Sequence, residues 1–172
     1  MATELTVCVS EPGFSLATWH NVFICVSDRA TMKRLADIRR FEARLVAASP
    51  KGIGVASVVV EPGALWGTMT SEERAEAADL ARTFAPHMLG LAHIVLGGGF
   101  FAATVRAVIS GVQLVSRTKA PSSVFRAIPP GAEWLAERCG KVDATASDAR
   151  ALAAAIESVT TPLAGVATAV RD

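Results

Sequence analysis

Three consecutive glycines, Gly97-Gly98-Gly99, follow the apolar run LAHIVL and precede a segment whose apolar residues recur at helical spacing. Where a strand ends and a helix begins, amide N–H groups point outward and the helix dipole is positive, which favours an anion. Gly98 and Gly99 would present such amides, and Arg106, about two turns into the helix, would add a positive charge. A conformational reading competes with this one: glycine permits positive φ, so the turn lets Phe100 and Phe101 pack close to a sheet. GGGF matches neither GxxxxGK[ST] nor GxGxxG, and no phosphate-binding Lys follows it.

The second place where chemistry could gather is EPGALWGTMTSEER, residues 61–74, because functional side chains collect on loops at the carboxyl edge of strands. Trp66, in a loop with Gly63 and Gly67, and Met69 are candidates for contact with a protein partner, since aromatic residues and methionine are enriched at interface centres. Thr68, Thr70 and Ser71 carry hydroxyls near a helix start, where an added phosphate would interact with the dipole. Thr70 also fits as a cap, with Glu73 three residues on.

The remaining reactive types are scattered. His20, His87 and His93 form no i, i+4 metal pair, and Cys8, Cys25 and Cys139 include no CxxC. The cysteines read as small hydrophobes rather than as disulfide partners. No GxSxG elbow occurs, and Glu61, Glu72 and Glu73 are accounted for by capping and solvation. Catalytic residues, metal ligands and cofactors are therefore not nominated.

The elements that would position these candidates follow from apolar periodicity. Strands are predicted over 5–10, from Phe14 and over 22–27. Thr31 caps a helix whose apolar face is Met32, Leu35, Ile38, Phe41, Leu45 and Val46, with Arg34, Arg39, Arg40 and Arg44 assigned to the opposite face. IGVASVVV, 53–60, reads as a strand covered on both sides. A helix from Ser71 to about Ala85 buries Ala77, Leu80, Ala81 and Phe84, and a strand spans Leu89–Leu96. Phe101, Val105, Val108, Val112 and Val115 define a long helix to about Ser116, with Gly111 a weak point within it. A short strand at 123–126, a helix beginning at IPPGAEWLAER and anchored by Trp134 and Leu135, and an alanine-rich helix from Ser147 to Val159 complete the chain.

This alternation implies a single α/β domain over residues 1–160, a mixed, mainly parallel sheet flanked by four to five helices. Residues 161–172 are predicted to form a flexible tail. In the 172-residue chain, 17 Lys and Arg nearly balance 16 Asp and Glu, which argues against nucleic acid as a partner. No run approaches the about 18–20 apolar residues of a membrane span, and the N-terminus lacks the basic cluster and apolar length of a signal peptide. A cytoplasmic protein is expected.

Element order over residues 5–140, the strand, turn and long helix of HIVLGGGFFAATVRAVISGVQL, and SVFRAIPPGAEWLAE as a last short strand with its Trp-Leu helix together resemble the STAS-like superfamily. That is the fold of anti-sigma-factor antagonists and of cytoplasmic domains on sulfate transporters. The resemblance implies a non-enzymatic bacterial signalling module that binds another protein, with self-association as one form of that contact. Antagonists of this kind carry an Asp-Ser-Ser-Gly-like motif after a central strand. Here the equivalent loop reads Glu61-Pro62-Gly63-Ala64-Leu65-Trp66-Gly67, no serine matches, and no phosphoswitch is carried over. The alternative function is a small anionic ligand held by Gly98, Gly99 and Arg106.

Overall fold

A computed structural model describes residues 5–60, 69–97 and 99–168, without the side chains of 100–102, 113–116 and 163–168. The chain forms β1 (Thr6–Glu11), β2 (Phe14–Trp19), β3 (Val22–Ser27), α1 (Met32–Ala48), β4 (Ile53–Val59), α2 (Ser71–Phe84), β5 (Met88–Val95), α3 (Gly99–Ser116), β6 (Ser122–Phe125), α4 (Ile128–Cys139) and α5 (Ala149–Thr168). The six strands make one sheet in sequential order. β1, β2 and β3 pair antiparallel, and β3 through β6 pair parallel, so the mixed, mostly parallel α/β class read from the sequence is the observed one.

Two tight connections set the antiparallel part. Gly13 adopts φ +72° between β1 and β2, and His20 adopts φ 51° between β2 and β3. His20-Asn21 is a two-residue hairpin connection, for which left-handed conformations match the strand twist. Asn21 ties this turn to the start of β4: its Nδ2 donates to Gly52 O at 3.2 Å, and its carbonyl accepts from Gly54 N at 2.9 Å.

Parallel strands laid down in sequence direct their right-handed crossovers to the same side. α1, α2 and α3 accordingly share one face of the sheet, where Phe14, Leu16, Phe23, Cys25 and Val55 point, and α4 and α5 cover the other. The second face is built for close approach. Gly54 of β4 lies under Cys139 and Leu135, and Gly90 of β5 lies under Trp134, so α4 rests directly on the strands. Ala17, Ile24, Val58, Ile94, Leu135, Leu152 and Ile156 form the main core there, each at most 1% exposed.

The two sheet edges differ in how they end. In β1 the register against β2 shifts between Val7 and Val9, and β6 has only four residues. A bulge and a short strand each blunt an edge against pairing with another chain.

Helix starts follow the predicted chemistry. Thr31 Oγ1 accepts from Arg34 N at 3.3 Å, and Thr70 forms a complete capping box with Glu73, at 3.1 Å and 2.8 Å. Two expectations change. Arg34, assigned from the sequence to a solvent face, is buried, with its guanidinium bound to Asp28 Oδ1 at 2.5 Å and to the carbonyls of Arg29 and Pro12 at 3.0 Å. Its neighbours explain this, since Arg34, Ile38, Phe41 and Leu45 share a helical stripe and Phe14 lies beneath the guanidinium at 5.1 Å. The last helix does not stop near Val159 but continues through Pro162 to Thr168. Helix propagation is favoured here because Val159 and Thr160 are buried and Thr160 Oγ1 donates back to Ile156 O at 2.8 Å.

Candidate functional site

Two concavities lie near the residues that the sequence singled out. The smaller, about 150 Å³, opens at the carboxyl ends of β5 and β6 and is lined by Val95, Gly97, Gly99, Arg106, Val124, Phe125 and Arg126. Gly97 has φ +127° and Gly99 φ +63°, both in the region that favours glycine, so the turn has the conformational role expected of it. An added Cβ at Gly99 would meet nothing within 4 Å, so the requirement there is backbone conformation and not space. The sequence reading united Gly99 and Arg106; the structure adds Arg126, which follows the edge strand. Neither guanidinium is paired with an acid among the described residues. Gly98 and the side chain of Phe101 lie outside the described residues.

The partner-contact candidates separate. Trp66 falls in 61–68, outside the described residues, as do Glu61 and Thr68. Met69 is 9% exposed and lines the second, larger cavity.

That second cavity, about 200 Å³, lies between the sheet and α1, α2 and α3. Its origin is a mismatch of side-chain size. α2 packs on α1 and α3 rather than on a strand, and it turns Ala77 and Ala81 toward the sheet. Arg39 of α1 holds α2 in that position through Glu76 and Asp79, at 2.8 Å each. Opposite these alanines, register aligns Cys25 with Ser57 and Ser57 with His93 across three neighbouring parallel strands. Neighbouring strands are about 4.8 Å apart, so these side chains form one short, polar row on the floor of the cavity.

Above the row stands Glu42 of α1, 1% exposed. Glu42 Oε1 and His93 Nε2 are buried with no hydrogen-bond partner among the described residues. Burial pushes the Glu42 carboxyl up to about 8, against a smaller downward pull from Arg39. Burial pushes His93 down to about 4. At neutral pH both groups are therefore uncharged, and each can donate or accept one hydrogen bond. The Cys25 thiol is pushed up to about 12, first by burial and then by Glu42, which makes it a poor nucleophile.

Sequence reasoning missed Glu42. Its signal was present: Ile38, Glu42 and Leu45 are spaced by four and three, which places an acid within the apolar stripe of α1. His93 was placed in a strand, but its alignment with Ser57 depends on register between β4 and β5, which no local pattern reveals.

No three His, Cys, Asp or Glu side chains gather at metal-binding distance among the described residues. No helix among them is long and apolar enough to cross a membrane. Comparison with protein-family models, with curated proteins and with solved structures returned no match.

Proposed function

We propose that this protein is a non-enzymatic regulatory or protein-interaction module of STAS-like type, acting in the bacterial cytoplasm. The observation that carries the reading is the rim at the ends of β5 and β6, where Arg106, Arg126 and the Gly97 turn surround one concavity beside Val124, an edge-strand valine 41% exposed. An apolar side chain next to two guanidiniums that no acid pairs among the described residues suits an acidic protein surface, because arginine is enriched at interface centres and complementary charge guides association. The sequential sheet with helices on both faces also accords with the resemblance read from the sequence. A second copy of the chain is one partner of this kind.

A second reading is favoured by the same two arginines. A small anion such as phosphate would meet Arg106, Arg126 and the first amides of α3 in one place.

One pair of variants separates the readings. Native extract is passed over the immobilised protein and over the double variant Arg106→Glu/Arg126→Glu, with sedimentation for self-association and a thermal-shift titration with inorganic phosphate alongside. A protein retained tenfold more by the wild type supports the module. Phosphate at 100 times its Kd would instead stabilise the wild type alone by about 2.7 kcal/mol. Equal retention and no phosphate shift overturn both.

A further inference from the structure

The cavity beneath α1, α2 and α3 is separate from the β5–β6 rim, and it combines three features that packing alone does not explain. Its volume, about 200 Å³, exceeds that of ordinary packing defects. An engineered apolar cavity of about 150 Å³ already accommodates a benzene ring. Its walls are apolar, with Val55, Leu80 and Leu91 among them, yet two polar atoms in it, Glu42 Oε1 and His93 Nε2, have no partner among the described residues. Leaving a buried donor or acceptor unsatisfied is costly, and native interiors rarely do so without a ligand or water to complete the bond.

We propose that this cavity is a binding site for an uncharged, largely apolar molecule of about one ring in size that carries a single hydroxyl-like group, bonded by Glu42 and His93. The absence of charge follows from what surrounds the cavity. Arg34, the buried cation on its wall, already has its charge paired with Asp28 and donates to the carbonyls of Arg29 and Pro12. Arg39 is committed to Glu76 and Asp79. A ligand carboxylate would find no spare buried cation, since Arg29, the other arginine on the lining, is exposed, and it would face the Glu42 carboxyl. A ligand ammonium would require Glu42 to ionise where burial opposes it. A hydroxyl can donate to or accept from either orphaned atom without moving a charge. The pocket thus has the general form of small-molecule sites: an apolar container with a few convergent polar groups.

The test uses four probes of equal ring size, namely benzene, phenol, benzoate and benzylamine, titrated into the full chain at pH 7 by ligand-detected NMR and calorimetry. Phenol is expected to bind about threefold to tenfold more tightly than benzene, the contribution of one hydrogen bond to a buried partner, and benzoate and benzylamine more weakly than phenol. A purely apolar cavity would rank benzene first. Glu42→Leu should narrow the preference for phenol over benzene, whereas Glu42→Gln should keep it. Ala81→Phe, which fills the space and leaves both polar groups in place, should abolish binding of all four, and it serves as the control should Glu42→Leu fail to fold. Failure of every probe to bind, a preference for benzene or a charged probe, or phenol binding undiminished in Ala81→Phe would overturn the proposal.

Discussion

The two faces of the sheet are assembled from similar helices and packed to different standards. Under α4 and α5 the strands present Gly54, Ala56, Gly90 and Ala92, and the helices answer with Cys139, Leu135 and Trp134 in direct contact. Under α1, α2 and α3 both sides supply short side chains at the same place, Cys25 and Ser57 below and Ala77 and Ala81 above, so a space remains. Large against small gives an interlocked layer. Small against small gives a chamber, and the chamber holds Glu42 Oε1 and His93 Nε2, which have no partner among the described residues. One face therefore carries stability and the other has room for recognition.

Substitutions that remove volume break this contrast most directly. Leu135→Ala, on the interlocked face, should cost about 3–5 kcal/mol in urea unfolding, because the residue is fully buried and its neighbours are held by other contacts. Leu80→Ala, beside the chamber, should cost about 1 kcal/mol, since part of its surface already faces empty space. Equal losses would show that the faces are packed alike.

Arg34 tests the chamber's charged wall. Arg34→Met keeps the stem's apolar contacts and removes three hydrogen bonds, and a loss of about 2 kcal/mol is expected in the same assay. The Asp28 side chain is about one-third exposed, at 32%, so water limits the cost of leaving it alone. A change below about 0.5 kcal/mol would mean that the carbonyls of Arg29 and Pro12 find water without difficulty.

The buried acid and imidazole give opposing pH dependences. The folded-state value of Glu42 is raised, from 4.5 to about 8, so its contribution is complete below pH 4.5 and is lost as pH rises toward 8. The folded-state value of His93 is lowered, from 6.5 to about 4, so its contribution is complete above pH 6.5 and is lost as pH falls toward 4. Between pH 4.5 and 6.5 the two slopes cancel. Stability measured by chemical unfolding should be level there and then fall by about 2 kcal/mol between pH 6.5 and 8. Glu42→Gln should remove that fall, and His93→Phe should extend it down to pH 4.5. A wild-type profile that stays level to pH 8 would mean that Glu42 is ionised in the folded protein.

The smallest effect has the opposite sign. Ala81→Leu adds apolar volume where there is space and should raise stability by up to about 1 kcal/mol, whereas Gly54→Ala, whose new methyl would meet Cys139 Sγ, should lower it by about 1–2 kcal/mol. Thermal denaturation of the two variants side by side gives the comparison.

How much of this could be read beforehand depends on the range of the signal. Strand and helix order follows from spacing of two and of three to four, and the Thr70–Glu73 capping box from a four-residue pattern, all of them local. Gly97 and Gly99 were legible as turn residues for the same reason. Arg34 was assigned to the wrong side because its charge outweighed its position, one turn before Ile38 on the apolar stripe, and the partner that makes this tolerable, Asp28, lies outside the helix. Arg126 could not be joined to Arg106 without knowing that β6 pairs with β5. The chamber was invisible for a deeper reason: it exists only because two sets of small residues, 52 positions apart for Cys25 and Ala77, happen to face each other across a layer.

The order of the strands also has a temporal meaning. Each strand pairs with the one made just before it, so the sheet can grow as the chain leaves the ribosome. α5, however, returns to cover β2 and β3, which are synthesised well before it. Until those last turns emerge, Ala17, Trp19, Ile24 and Val26 lack their lid, and a nascent or prematurely ended chain would offer chaperones and proteases a broad greasy target.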